Sequence, residues 1–185
     1  TGNLLNYSAT PDAPVIANQM AIFRTKLGVR YAPDSPSGTA SAQGEQTIAH
    51  LLFSNSTNPG AYDATVKRFN FQLIQNGIVN TAPRKVKVYL GSIGATPYFE
   101  YTFNVGSGFG RVWTDDVVVN QFPDFVVSSG ETRDVYVTLD TTDAGTNDNL
   151  SFSVPQQRDI MWSDGVSEYI TGVDDLPLSA KTFVY

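Results

Sequence analysis

The segment VTLDTTDAGTNDNLSFSV, residues 137–154, places oxygen-bearing side chains between two runs of alternating apolar residues. Carboxylate and amide oxygens are ligands that calcium prefers, and Asp140, Asp143, Asn147 and Asp148 could supply several of them. An EF-hand loop, however, needs an acidic or amide residue at its third position, and a loop that starts at Asp140 has Thr142 there. The spacing therefore predicts a solvent-exposed hairpin loop without a metal, and an irregular calcium site is the alternative.

Catalysis that uses an imidazole would have to use His50, because the chain contains one histidine. In TIAHLLF this residue alternates onto the same face of a predicted strand as Ile48 and Leu52. That position is typical of a histidine in the core or at a sheet edge. It does not predict a general base.

Paired carboxylates, which glycoside hydrolysis uses, occur twice along the chain. Asp115 and Asp116 are neighbours on a predicted strand, so their side chains point to opposite faces and cannot act together. Asp174 and Asp175 lie in a loop, where a solvated turn is the simpler interpretation. We therefore predict no catalytic residue, no metal ligand and no cofactor, and hence a protein that is not an enzyme.

Glycines and aromatic residues give two weaker signals. The run GSGFG at residues 106–110 has the spacing of a small phosphate loop, but RVWTDDVVV follows it. A phosphate loop needs a helix at that point, whereas these residues predict a strand, so we expect a hairpin bend.

Trp113, Trp162 and Tyr98 cannot be assigned to a face from the pattern, and a glycan-binding platform therefore stays an alternative.

Alternation with a period of two residues recurs along the whole chain and is typical of half-buried strands. It predicts an all-β fold, an antiparallel two-sheet β-sandwich of immunoglobulin-like or jelly-roll-like type with about eight to ten strands. We expect residues 1–185 to form one domain. The expected core contains Phe69, Phe71, Leu73, Val86, Val88, Val135, Val137, Leu139, Phe152 and Val154.

Composition excludes several classes of partner. A net charge of −6 argues against nucleic acid, because binding phosphates needs clustered Lys and Arg. No apolar run approaches the roughly 18 residues of a membrane span. The opening TGNLLNYSAT has no signal-peptide pattern, so the chain is either cytoplasmic or a mature form whose leader has been removed. A start at Thr1 in place of Met favours processing or trimming, and we expect a secreted chain.

The last third of the chain resembles a module of large exported surface proteins of uncultivated ultrasmall bacteria. The resemblance is carried by the W-S-D triplet at 162–164, the L-P pair at 176–177 and a final strand around Thr182. VKRFNFQL and RKVKVYLGS are similar to the middle strands of that module. The resemblance implies an extracellular or cell-surface location and a structural or adhesive role, and it implies no catalytic residues.

These observations lead us to expect an extracellular structural protein that assembles with itself into a filament, pilus or surface layer. Residues 1–19 offer a short apolar strand followed by prolines, which cannot continue a ladder. Leu4, Leu5 and Tyr7 are the candidates for donating this strand to a neighbouring copy, and Leu5 and Tyr7 share a face. The alternative, which the sequence favours slightly, is that residues 3–9 fold back as the first strand of their own sandwich. A non-catalytic glycan-binding module and a virion surface protein are the alternatives.

Overall fold

The computed structural model describes residues 22–114 and 122–185. The proposed donor residues Leu4, Leu5 and Tyr7 therefore lie outside the described residues, as does the pair Asp115 and Asp116. Within the described ranges, no helix is long and apolar enough to cross a membrane.

Fourteen strands lie in the described residues, and ten of them have four residues or more, which matches the eight to ten predicted. The strands are β1 (Leu27–Tyr31), β2 (Gly38–Thr39), β3 (Gln46–Asn55), β4 (Ala64–Phe69), β5 (Phe71–Asn76), β6 (Arg84–Leu90), β7 (Phe99–Phe103), β8 (Arg111–Val112), β9 (Phe125–Val127), β10 (Thr132–Leu139), β11 (Asn149–Val154), β12 (Ile160–Ser163), β13 (Glu168–Tyr169) and β14 (Leu178–Val184). A single turn of 3-10 helix, Gln157–Asp159, separates β11 from β12.

The strands form three sheets. The first sheet has the order β1-β3-β10-β6-β7, the second β2-β14-β11-β5-β8 and the third β13-β12-β4-β9. Neighbouring strands pair antiparallel except β2 and β14, which pair parallel. The fold is all-β, and the prediction of an antiparallel β-sandwich is confirmed.

Aromatic contacts show how the sheets pack. Phe53 of the first sheet makes edge-to-face contacts with Phe69 and Phe125 of the third, at centroid distances of 5.5 and 5.3 Å. Tyr31 of the first sheet contacts Phe152 of the second at 6.4 Å. The first sheet thus forms one layer, and the second and third sheets lie against it.

The hydrophobic core is one continuous cluster that draws on all three sheets. All ten residues predicted for it are buried. Alternation with a period of two residues identified them correctly because each strand has one face toward the cluster and one toward solvent.

Two predicted hairpins are wrong. Residues 106–110 join β7 of the first sheet to β8 of the second, and the acidic segment after Leu139 joins β10 of the first sheet to β11 of the second. Alternation reveals which side chains face the core, but it does not reveal which strand is the partner. Both segments cross between layers.

Candidate functional site

The candidate site lies where two paired strands pass together from the third sheet to the second. β4 becomes β5 at Asn70, and β12 is joined to β11 through the helical turn Gln157–Asp159. The backbone N–H of Asn70 donates to the carbonyl of Asp159 at 2.8 Å, which ties the two crossings together. A β-bulge at Lys67 lets both Val66 and Phe69 face the core and leaves Arg68 on the outer side.

Asn70 also fixes the chain that follows β8. Its side-chain oxygen accepts hydrogen bonds from the backbone N–H and the hydroxyl of Thr114, at 2.7 and 3.2 Å. The Thr114 hydroxyl accepts in turn from the N–H of Phe69 at 3.0 Å. Asn70 and Thr114 are both buried. The buried network therefore holds β4, β5 and β8 in one arrangement beneath the site.

Above this network lies a cavity of about 300 Å³. We call it the arginine pocket, and its lining residues are Arg68, Asn70, Arg111, Trp113, Arg158 and Asp159. These side chains come from β4 and the residue after it, from β8 and the residue after it, and from the helical turn. The pocket thus forms at the place where β4–β5 and β11–β12 pass between the second and third sheets.

Each guanidinium in the pocket is held by a neighbour. Arg68 donates to the carbonyl oxygen of Arg158 at 2.6 Å, and Arg158 donates to the side chain of Gln156 at 2.5 Å. Arg111 pairs with the carboxylate of Asp159, which is almost fully buried. The second Asp159 oxygen accepts from the backbone N–H of Gln156 at 2.9 Å. The planar cationic groups are therefore positioned without a ligand.

Trp113 gives the pocket an aromatic surface. The guanidinium of Arg111 lies over the indole, 4.3 Å from its centroid, which is a cation–π arrangement. The residue is 50% exposed, so part of the ring faces solvent. An exposed flat ring beside planar hydrogen-bond donors can contact the apolar face of a polar ligand while the arginines bind its oxygens.

The acidic segment does not resemble an ion site. Arg84 donates to Asp143 at 2.7 Å and to Asp140 at 3.1 Å, and the Thr81 backbone N–H also donates to Asp143. Hydrogen bonds from Arg84 and Thr81 hold the pKa of Asp143 well below its usual range. The carboxylates of Asp140 and Asp143 thus share the cation Arg84, which anchors the crossing from β10 to β11, and Asp148 accepts from the backbone N–H of Gly145.

His50 lies on the outer face of the first sheet, where it is nearly buried. Its ring stacks on Tyr136 with centroids 4.1 Å apart. Nδ1 is 2.5 Å from an oxygen of Asp34, and Nε2 is 2.8 Å from an oxygen of Asp134. Both ring nitrogens contact carboxylates, so the side chain links the loop before β2 to β10.

The W-S-D triplet has a structural role. Trp162 is fully buried and its indole N–H donates to the carbonyl of Thr171 at 3.0 Å. Asp164 accepts from backbone N–H groups and from the Tyr169 hydroxyl. In the predicted loop pair of Asp174 and Asp175, Asp174 forms an ion pair with Lys26 at 2.6 Å. Neither the W-S-D triplet nor this aspartate pair lines the arginine pocket.

Sequence reasoning identified Trp113 as a possible platform but missed the arginines around it. They come from three segments far apart in the chain, and each segment by itself is an ordinary polar stretch of strand or turn. Tyr98, the third aromatic residue left unassigned, donates its hydroxyl to the carbonyl of Asp124 and packs against Phe122. It lies outside the pocket.

No family model matches the chain, and no curated protein is similar to it. Among solved structures, the chain is similar to a family 123 glycoside hydrolase from Clostridium perfringens, studied for hydrolysis of glycolipid glycans, at 12% identity and a TM-score of 0.36. The match covers 86% of this chain and 26% of that enzyme, so the chain spans about a quarter of its length. At that score the similarity supports no statement about activity.

Proposed function

We propose that the chain is an extracellular, non-catalytic module that binds carbohydrate in the arginine pocket. The observation that carries the proposal is Trp113, half exposed beside guanidinium groups that neighbouring residues hold in place. Sugars present apolar C–H faces and many hydroxyl oxygens, which suit an aromatic ring and N–H donors respectively. The extracellular location is proposed from the sequence resemblance alone.

The size of the pocket agrees with such a ligand. A volume of about 300 Å³ lies at the lower end of the range for small-molecule sites, roughly 300–1,000 Å³. The pocket therefore suits one sugar residue, with the rest of a glycan continuing over the surface.

A glycan screen tests the proposal, with the wild-type chain compared with Trp113→Ala. Removing an aromatic anchor from a binding site costs more than about 1 kcal/mol, so we expect at least about a fivefold loss of affinity for any glycan that binds. Tyr62→Ala is the matched control, because Tyr62 is also exposed and lies under an arginine, Arg24, at 3.6 Å, but does not line the pocket. Equal affinity of wild type and Trp113→Ala would refute the proposal.

A self-assembling subunit of a filament, pilus or surface layer is the second candidate. The observation in its favour concerns β13, an edge strand of the third sheet. Val166 and Ile170, on either side of β13, are 68% and 48% exposed. An edge flanked by exposed apolar side chains can accept a further strand. We propose the segment around Leu4, Leu5 and Tyr7 of a neighbouring copy as that strand.

Deleting residues 1–12 tests assembly separately from glycan binding. We expect the full chain to form polymers by negative-stain microscopy and the truncated chain to stay monomeric by size-exclusion chromatography. Head-to-tail strand exchange does not close, so filaments are the expected product. Polymers that form equally well without residues 1–12, or a full chain that is monomeric at every concentration, would contradict the second candidate.

A further inference from the structure

A second cavity, of about 360 Å³, lies outside the arginine pocket. It is formed by residues 36–47, which include β2 and the start of β3, and by Phe183 of β14. We call it the Gln46 pocket, and its lining includes Ser37, Thr39, Gln43, Glu45, Gln46 and Phe183. The two cavities have no lining residue in common, so they are separate candidate sites.

Backbone hydrogen bonds hold the wall of the Gln46 pocket in place. β2 pairs with the end of β14, and the N–H of Ala40 donates to the carbonyl of Val184 at 2.8 Å. Further along the segment, the carbonyl of Gln43 accepts from the N–H of Thr141 at 2.9 Å. The segment is thus fixed at two points before a ligand binds, and such preorganisation lowers the entropic cost of binding.

Gln46 offers hydrogen-bond donors to this cavity. The residue is 5% exposed, and its amide oxygen accepts from the hydroxyls of Tyr185 at 2.6 Å and Thr141 at 3.0 Å. Within residues 22–114 and 122–185, no group accepts a hydrogen bond from its amide nitrogen. Leaving the N–H donors of a buried amide without an acceptor is unfavourable. The two hydroxyls therefore orient a donor group that a ligand in the cavity can use.

Glu45 supplies an acceptor on the adjacent residue. One of its carboxylate oxygens accepts from the hydroxyls of Tyr89 at 2.6 Å and Thr138 at 2.9 Å. The other accepts from the ammonium of Lys87 at 3.2 Å and from no other group in the described part of the chain. A carboxylate oxygen can accept about two hydrogen bonds, so this oxygen can accept one more.

The cavity presents little net charge to a ligand. Among the lining residues that the structure describes, Glu45 is the one that carries a charge, and the ion pair with Lys87 compensates it. The other polar lining groups are neutral hydroxyls and amides. This lining favours a ligand that is neutral and rich in hydrogen-bonding groups.

We infer that the Gln46 pocket is a second carbohydrate site, one for a neutral sugar whose hydroxyls donate to Glu45 and accept from Gln46. The class of ligand rests on the proposed function, whereas the location and the neutral charge rest on this cavity. Each sugar hydroxyl both donates and accepts, which matches an acceptor and a donor on adjacent residues. An acidic sugar would bring its carboxylate close to that of Glu45, and like charges at short range repel each other.

Titration of the isotopically labelled chain with monosaccharides, followed by NMR, tests the inference. The probes are glucose, galactose and mannose, each compared with its uronate. The side-chain amide of Gln46 reports this pocket, and the indole N–H of Trp113 reports the arginine pocket. With at least one neutral probe we expect a saturable shift of the Gln46 amide signals. The matching uronate should bind there more weakly because of Glu45.

Two variants and a matched control show whether the cavity causes the shift. Ser41 is exposed and lines the cavity, so Ser41→Phe fills space that the sugar needs and should weaken binding at least about tenfold. Gln46→Glu keeps an oxygen for the two hydroxyls but removes the N–H donors, and should weaken binding about tenfold, with the backbone amide of Thr39 as reporter. Ser92→Phe makes the same change at an exposed serine that lines neither pocket, and should leave binding unchanged. Melting curves check that each variant is folded.

The outcomes separate the two proposals. Gln46 signals that stay unchanged with all three neutral probes would overturn the inference, and a response of Trp113 in the same titrations would leave binding in the arginine pocket intact. A shift that Ser41→Phe does not reduce, or that Ser92→Phe reduces as much, would also overturn the inference. Uronates that bind as tightly as their parent sugars would overturn the neutral preference. A response of Gln46 without one of Trp113 would support the second site and count against the proposed one.

Discussion

Asp164 shows how one buried carboxylate can organise a turn. Its oxygens accept from the backbone N–H groups of Arg24, Val166 and Ser167, at 3.2, 3.0 and 3.0 Å, and from the hydroxyl of Tyr169 at 2.9 Å. Burial by itself would raise the pKa of Asp164, but these donors outweigh it and lower the pKa to about 2. The charged form is therefore the one that the fold stabilises.

This lowered pKa predicts a loss of stability in acid. Because the folded pKa is below the unfolded value near 3.8, the contribution of Asp164 is complete above about pH 4 and is lost as pH falls through about 2. A shift of that size corresponds to about 2 kcal/mol. Urea unfolding should show Asp164→Asn less stable than wild type at pH 6, with the difference largely gone at pH 2. A difference that does not change with pH would contradict this assignment.

Arg84 and its neighbour Lys85 offer a matched pair of ion-pair deletions. Arg84 is mostly buried with Asp140 and Asp143, whereas Lys85 pairs with Glu100 at the surface. Removing Arg84 leaves the carboxylates of Asp140 and Asp143 without their shared cation in a largely buried setting, so we expect Arg84→Gln to lose clearly more stability than Lys85→Gln. Lys85→Gln should cost less than about 1 kcal/mol. Chemical denaturation of both variants measures this, and equal losses would show that burial is not the deciding factor.

At the scale of strands, the alternation of RFNFQL conceals a change of sheet. Phe69, Phe71 and Leu73 alternate as if in one strand, and all three are buried as predicted. Between them Asn70 passes the chain from the third sheet to the second. Periodicity could not reveal this because the side-chain pattern is preserved across the crossing. The one sign of the change of sheet was the polar residue Asn70 between buried phenylalanines. That Asn70 is itself buried became evident only in the structure, where it binds Thr114.

Asn70→Ala tests the importance of this crossing. The substitution leaves the backbone N–H and hydroxyl of Thr114 without their shared acceptor, and we expect a loss of about 2 kcal/mol in the free energy of unfolding. Sugar affinity should also fall, since β8 carries Arg111 and leads to Trp113. Gln72→Ala, on the partly exposed face of β5, is the control. An Asn70→Ala protein as stable as the control would contradict a structural role for the network.

For the whole molecule, composition and alternation were sufficient to predict the fold class and the core. They were insufficient for the pairing of strands, because partners such as β3 and β10 are far apart in sequence. The same reason hid the candidate site. Arg68, Arg111 and Arg158 become neighbours only after the second and third sheets have formed beside each other.

The two tryptophans occupy opposite environments, and this has a spectroscopic consequence. Trp162 is fully buried and Trp113 is half exposed, and the chain contains no other tryptophan. We expect Trp113→Phe to emit at short wavelength and to resist quenching by iodide until the protein unfolds. In Trp162→Phe, emission should be red-shifted, accessible to iodide in the native state and protected when a sugar occupies the pocket. The two variants would then report unfolding and ligand binding through separate optical signals, one from each tryptophan.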